Sequence, residues 1–93
     1  MSVSEFEWDR AKAESNLRKH GVAFDDAITV FDDAHAITVR DPDASGEERL
    51  VSVGMDATGR ILVIVFVPRD DRTRLISARR ASPNEQLTYL AGR

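Results

Sequence analysis

Cysteine is absent from these 93 residues, which excludes a disulfide framework, a thiolate metal site and a cysteine nucleophile. Long hydrophobic runs are missing too. The longest, Ile61 to Val67, falls far short of the roughly 20 residues that span a membrane. The start, Met1-Ser2-Val3-Ser4-Glu5-Phe6, has no basic stretch followed by an apolar one, so it does not read as a signal peptide. These absences predict a cytoplasmic protein with no membrane segment. There is no internal repeat, low-complexity tract or linker, and residues 1–93 read as a single domain. No phosphate-cradling glycine loop, Gly-x-Ser-x-Gly elbow or zinc-spaced histidine pair occurs.

What is present is an ordinary globular mixture, 42% hydrophobic and 31% charged, which argues against disorder. A chain of this size buries only about two-thirds of its unfolded surface, so its core is thin and a partner or oligomer has room to supplement it. The net charge of −3 argues against indiscriminate nucleic-acid binding. The distribution is uneven, however. Residues 1–46 hold ten acids and five bases, and residues 47–93 hold six acids and eight bases. Five of those bases are arginines between Arg69 and Arg80. This asymmetry is a reason to look for an anionic ligand, although charge alone favours the plainer reading of a mixed, solvated surface.

Patterning predicts an α+β fold: two N-terminal helices, a four-stranded antiparallel β-sheet meander and a C-terminal helix. Asp9 is a candidate N-cap for a helix over Arg10 to His20, which Gly21 ends. On it, Ala13, Leu17 and His20 share one face, and Lys12, Asn16 and Lys19 another. A short second helix is expected from about Asp25 to Phe31, closed by Asp32-Asp33. Four strands follow, at Ala36 to Val39, Leu50 to Met55, Arg60 to Val67 and Thr73 to Ala81, with turns at Asp41 to Gly46, Ala57 to Arg60 and Pro68 to Arg72. The continuous apolar run places residues 60–67 in the middle of the sheet. Ser82, Pro83 and Glu85 mark the start of the last helix.

The fourth strand carries the most chemistry. Simple alternation puts Arg74, Ile76, Ala78 and Arg80 on one face and Thr73, Leu75, Ser77 and Arg79 on the other. Arginine forks onto phosphate bidentately, so a strand bearing several suits a phosphodiester, unless they pair with carboxylates of the front half. The lysines of the Lys12/Asn16/Lys19 stripe matter only if they face the same groove. His20, a natural proton shuttle, lies on the Ala13/Leu17 face, which predicts a buried core histidine. His35 sits in a turn without a companion. The Asp41-x-Asp43-x-Ser45-Gly46 run starts like a calcium loop but has Ser52 where the bidentate glutamate belongs. It reads as a turn, and the Asp25-Asp26 and Asp32-Asp33 pairs read as ordinary acids at helix ends.

Three blocks in order then resemble a known family: Phe6, Glu7, Trp8, Asp9, Lys12, Asn16, Lys19, His20, Gly21, Val22 and Phe24; Gly46 to Arg49; and Arg74 to Ala81. Over about residues 5–90 the chain resembles the BrnT toxins, the toxin half of bacterial type II toxin–antitoxin pairs. The resemblance implies a RelE-like fold, ribonuclease activity, and neutralisation by a BrnA-type antitoxin with a ribbon-helix-helix DNA-binding domain. DNA would then be met only indirectly, through the antitoxin, and a toxin homodimer within the complex would be compatible. The family's basic positions map onto Lys12, Lys19, His20, Arg49, Arg74, Arg79 and Arg80. Pro68-Arg69-Asp70-Asp71 replaces a more usual threonine-containing turn, so the edge of that hairpin is expected to differ.

Metal-free RNA cleavage, with no cofactor, needs a base for the 2′-OH, an acid for the departing 5′-oxygen and cations on the phosphoryl oxygens. The catalytic candidates are Arg74, Arg79, His20 and Glu48, with His20 or Glu48 as base. The RNA-binding candidates are Lys12, Lys19, Arg49, Arg80 and Trp8, the last either stacking on a base or packed in the core. Arg74 and Arg79 alternate to opposite faces, so only one meets the groove unless a bulge intervenes. The competing readings are a non-catalytic protein-binding module and a degenerate toxin that retains only antitoxin binding.

Overall fold

The computed structural model describes residues 5–44 and 46–92. The residues Met1 to Ser4, and Ser45 of the turn that starts like a calcium loop, lie outside them. The elements run β1 (Phe6–Glu7), α1 (Arg10–His20), α2 (Phe24–Ala27), a 3-10 turn (Ile28–Asp32), β2 (Ile37–Arg40), β3 (Leu50–Met55), β4 (Ile61–Arg69), β5 (Arg72–Arg80) and α3 (Pro83–Ala91). The sheet order is β1-β5-β4-β3-β2. The expected antiparallel meander is present as β2 to β5, and β4 is the middle strand of the whole sheet. The expectation of four strands is corrected to five. Phe6 and Glu7 pair in parallel with Thr73 and Arg74, which makes the sheet mixed. No described helix is long and apolar enough to cross a membrane.

β4 is covered on both sides, as its unbroken apolar run requires. Paired residues across strands point to the same side, so register defines two faces. On the first, Leu62, Ile64 and Phe66 of β4 join Leu75 and Ala78 of β5 beneath Val22, Phe24, Ala27 and Val30. Leu62, Ile64 and Leu75 are wholly buried, and burying each such side chain stabilises the fold by about 1.5–3 kcal/mol. On the second face, Val63, Val65 and Val67 line up with Val51 and Val53 of β3 and with Ile37 and Val39 of β2. α3 lies over part of that face, anchored by Tyr89, whose hydroxyl donates to Asp33 Oδ2 at 2.6 Å.

Three local departures from expectation have physical causes. The second helix is α only over Phe24–Ala27 and tightens to 3-10 winding over Ile28–Asp32. Ile28, Thr29 and Val30 are β-branched and poor helix formers, and the Thr29 hydroxyl bonds back to the Asp26 carbonyl at 2.7 Å. That turn sits so close to β3 that a Cβ on Gly54 would come within 2.8 Å of Val30 Cγ1, so glycine is required there. Pro68 is inside β4 opposite Thr73 rather than in the turn. The Thr73 N–H points to the other side, where it bonds the Glu5 carbonyl. Pro68 therefore faces away from β5, beyond the last β3 pairing at Leu50, where a missing donor costs nothing. The remaining turn is Asp70-Asp71, with Asp70 at φ 56°.

The third departure matters most. The β4–β5 register shifts between Val65 and Phe66, which pair with Ser77 and Leu75. Ile76 is the extra residue of a β-bulge. It reverses the phase of alternation, so Leu75 and Ala78 both enter the core.

Candidate active site

The bulge puts Arg74, Ser77 and Arg79 on the second face, opposite Val67, Val65 and Val63. The two arginines flank Ser77, Arg79 two residues along β5 and Arg74 three, the bulge residue Ile76 included, so each stands about 7 Å away measured on the facing β4. This corrects the simple alternation that separated them, and it leaves Arg80 opposite Leu62 on the first face.

α1 is built by its ends. Asp9 accepts from the Ala11 N–H at 3.1 Å. Gly21 takes the left-handed conformation at φ 69° and donates to the Leu17 carbonyl. Arg18, Lys19 and His20 occupy the last turn, where cations are favoured by the helix dipole. Of the expected Ala13/Leu17 face, Ala13 packs, partly buried, against the core, but Leu17 is 50% exposed. The buried residue is Asn16, and its amide reaches the outer edge of β5 beyond the end of β1. Its nitrogen donates to the carbonyls of Ala78 at 2.8 Å and Val22 at 3.0 Å, and its oxygen accepts from the Ala78 N–H at 3.0 Å. One side chain thus does what a neighbouring strand would have done.

This clip turns Lys12, Lys19 and His20 toward β5. They line, with Ser15, Asn16, Ile76 and Ser77, a cleft of about 150 Å³. His20 is exposed, which corrects the expected core histidine. Ser77 belongs to the second face, the one that also carries Arg74 and Arg79, although neither arginine lines the cleft itself.

The two arginines differ in what they hold. Arg79 forks onto Glu85 of α3, Nη1 to Oε1 at 2.8 Å and Nη2 to Oε2 at 2.9 Å, and also donates to its neighbour's carbonyl at 3.2 Å. Glu85 is at the same time the third residue of the Ser82 capping box. Hydrogen bonds from Arg79, then from the Ser82 N–H, lower its pKa from the ordinary 4.5 to about 2. The bond to Glu85 in turn raises that of Arg79. Arg74 is held more loosely, by Glu7 at 3.3 Å, with about a third of its side chain exposed.

Among the other candidates, Arg49 follows alternation onto the second face, level with Arg74 across Val67, and pairs with Asp41 at 3.7 Å. Glu48 is exposed in the β2–β3 loop, on the far side of the sheet from the cleft. Arg80 lines a separate depression with Arg60 and Gln86. Trp8 stands edge-on to Phe24, with centroids 5.7 Å apart, on the opposite flank of α1. The structure therefore gathers Lys12, Lys19 and His20 in one cleft, places Arg74 and Arg79 on the sheet face of its Ser77, adds Arg49 across that face, and leaves Glu48, Arg80 and Trp8 outside. Sequence reasoning missed Glu7 as the partner of Arg74 and Asn16 as the clip. A mid-helix asparagine, a residue that prefers caps and turns, was the available signal for the latter. The Asp33 carboxylate is no ligand cluster. Burial would raise its pKa, but N–H donors from Met55 and His35, the Tyr89 hydroxyl and the charge of His35 hold it below the usual range. Among the described residues no group of three or more His, Asp or Glu side chains could hold a metal ion.

A family model for the ribonuclease toxin BrnT of type II toxin–antitoxin systems matches residues 8–85. The chain belongs to the BrnT family. Among solved structures, the Brucella abortus ribonuclease toxin BrnT is similar, at 26% identity and a TM-score of 0.65 over 83% of this chain and 95% of that one. No curated protein matches significantly. BrnT membership carries the toxin and ribonuclease description, and a type II system implies an antitoxin partner.

The Glu85 pair gives a pH prediction. Its folded pKa of about 2 lies below the ordinary 4.5. The stabilisation is therefore complete above pH 4.5 and is lost as pH falls toward 2. Solvent screening at this half-exposed pair limits it to on the order of 1 kcal/mol. Urea titrations across that range are expected to show the loss in the parent chain and a flatter profile in Glu85→Gln. Equal slopes would remove the pair from the acid response.

Proposed function

We propose that this chain is an active, metal-independent RNA endonuclease whose cleavage of cellular RNA inhibits translation and growth until a BrnA-type ribbon-helix-helix antitoxin neutralises it. The observation that carries the reading is the cleft itself: Lys12, Lys19 and His20 line it with Ser77, whose sheet face also carries Arg74 because of the bulge.

In this reading Lys12 and Lys19 hold the RNA phosphates. His20 takes the 2′-OH proton. The 2′-oxygen bonds to phosphorus, the bond from phosphorus to the 5′-oxygen breaks, and that oxygen takes up a proton from the lysine pair. Arg74 neutralises the charge that grows on the non-bridging oxygens, the point at which fixed cations contribute most. Glu48 stands apart from the cleft, so the carboxylate beside the reacting phosphate is Glu7, which orients Arg74. Arg79, with both fork nitrogens on Glu85, holds α3 in place. Arg49 extends the basic surface across the valine face. All of this takes place in the cytoplasm, within one toxin domain.

The test is cleavage of a long single-stranded RNA in EDTA. The expected result is cleavage unaffected by EDTA, with 2′,3′-cyclic phosphate ends and no cutting at 2′-deoxy positions. Activity abolished by EDTA would identify a metal nuclease. In cells, growth arrest on induction is expected, relieved by the protein encoded beside it. An inert chain that still binds that protein would favour the degenerate-toxin reading.

A further inference from the structure

The opposite edge of the sheet has a different character. β2 is its last strand, and all four of its residues are exposed. The Asp41 N–H donates to the Arg49 carbonyl at 2.8 Å, which makes that pair hydrogen-bonded. Antiparallel geometry then turns the N–H and C=O groups of Ile37 and Val39 toward β3, and those of Thr38 and Arg40 outward. Among the described residues nothing pairs with those four outward groups. Soluble proteins usually blunt such an edge with lysine, proline, a bulge or a cover. Here Val39 is 55% exposed, and Ile37 and Val39 border an apolar groove of about 280 Å³, closed by Val53, Thr88 and Tyr89. The surroundings are acidic. Residues 32–48 carry six acids against one arginine.

Resting on the toxin–antitoxin reading above, we infer that β2 is the docking edge for an extended, basic segment of the antitoxin, added as a sixth strand. Backbone bonds to Thr38 and Arg40 supply its register, alternate apolar side chains lie against Ile37 and Val39, and flanking lysines or arginines meet Asp32 at one end and Asp43, Glu47 and Glu48 at the other. A second copy of this chain fits worse. A two-fold pairing of β2 with itself runs antiparallel and lays the acidic 41–48 loop of one copy beside Asp32 and Asp33 of the other, like against like. The edge is separated from the Lys12/His20 cleft by the width of the sheet, so docking there and RNA cleavage are independently testable.

The experiment measures amide hydrogen exchange of the labelled chain, alone and co-purified with the protein encoded by the adjacent reading frame. Thr38 and Arg40 are expected to exchange freely in the free chain and to slow about tenfold or more in the complex. Arg40→Pro removes one outward donor while leaving the β2–β3 ladder intact. It is expected to release the partner about tenfold faster with RNA cleavage by the free chain unchanged. Arg40→Ala, which keeps the N–H, is expected to release it at the parent rate. A complex that forms with Thr38 and Arg40 exchanging as before overturns the docking edge and leaves the toxin–antitoxin reading standing. No complex at all overturns both. Protection already present in a free chain of dimer mass assigns the edge to a second copy and overturns the proposal.

Discussion

Arg74→Ala is expected to cleave RNA on the order of 100-fold more slowly than the parent chain while melting at nearly the same temperature. Arg79→Ala is expected to do the reverse. Both residues are on one strand and one sheet face, and the difference lies in their partners. Among the described residues Arg74 has only the loose Glu7 contact at 3.3 Å, which leaves its fork available to a phosphate oxygen. Arg79 has both terminal nitrogens on Glu85, so removing it leaves a half-buried carboxylate without its cation and loosens the start of α3. Arg74→Lys should recover only part of the rate, because an ammonium cannot fork onto two oxygens. The measurements are single-turnover cleavage of a long RNA and a thermal melt for each variant. Full activity in Arg74→Ala would remove the strand from the mechanism and leave Lys12, Lys19 and His20 to carry it.

Asn16→Ala is expected to destabilise the fold by about 3 kcal/mol, a large share of the 5–15 kcal/mol that holds a typical domain together. It strands the Ala78 N–H and the carbonyls of Ala78 and Val22 in a buried place, and each group left unsatisfied costs about 1–3 kcal/mol. For a chain of this size the midpoint should fall by on the order of 15 °C. Asn16→Asp is the sharper probe. It keeps an acceptor for the Ala78 N–H but has no N–H to give, and it aims a carboxylate at two carbonyls, so it should be no better than alanine. Cleavage should fall in both variants at temperatures where they remain folded, since Lys12, Lys19 and His20 are aligned through this clip. A midpoint shift of only a degree or two would show that water replaces the amide and that α1 is held by other contacts.

Local patterns foretold much of the fold. Ile61 to Val67 could only be a strand covered on both sides, because no alternation was left to give it a wet face. Ser82, Pro83 and Glu85 announced α3 through capping chemistry that acts within one turn of helix. Gly21 and Gly59 marked ends and turns because their positive φ angles, 69° and 95°, are ones other residues avoid. The Lys12, Lys19, His20 and Arg74 candidates were also visible, as residue types and as a resemblance.

What could not be read was whatever depended on a distant segment. Phe6-Glu7 is too short to carry a pattern, and its parallel pairing exists only because β5 offers a free edge 67 residues further on. Hydrophobicity selects Ala13 and Leu17 as the packed face, but only its Ala13 end meets the core, because α1 lies against a strand edge that needs hydrogen bonds more than apolar cover. Asn16 supplies them, and His20 rotates into the cleft as a result. The side on which each arginine stands was beyond reach for a similar reason. A strand's period is two until one residue is inserted, and whether Ile76 is that residue is decided by the register of β4 against β5. Sequence alone thus determined the kinds of element, their order and the stock of basic side chains, because those follow from neighbours along the chain. The tertiary structure alone decided which of those side chains share a face and which already hold a carboxylate, because both depend on contacts made across the sheet.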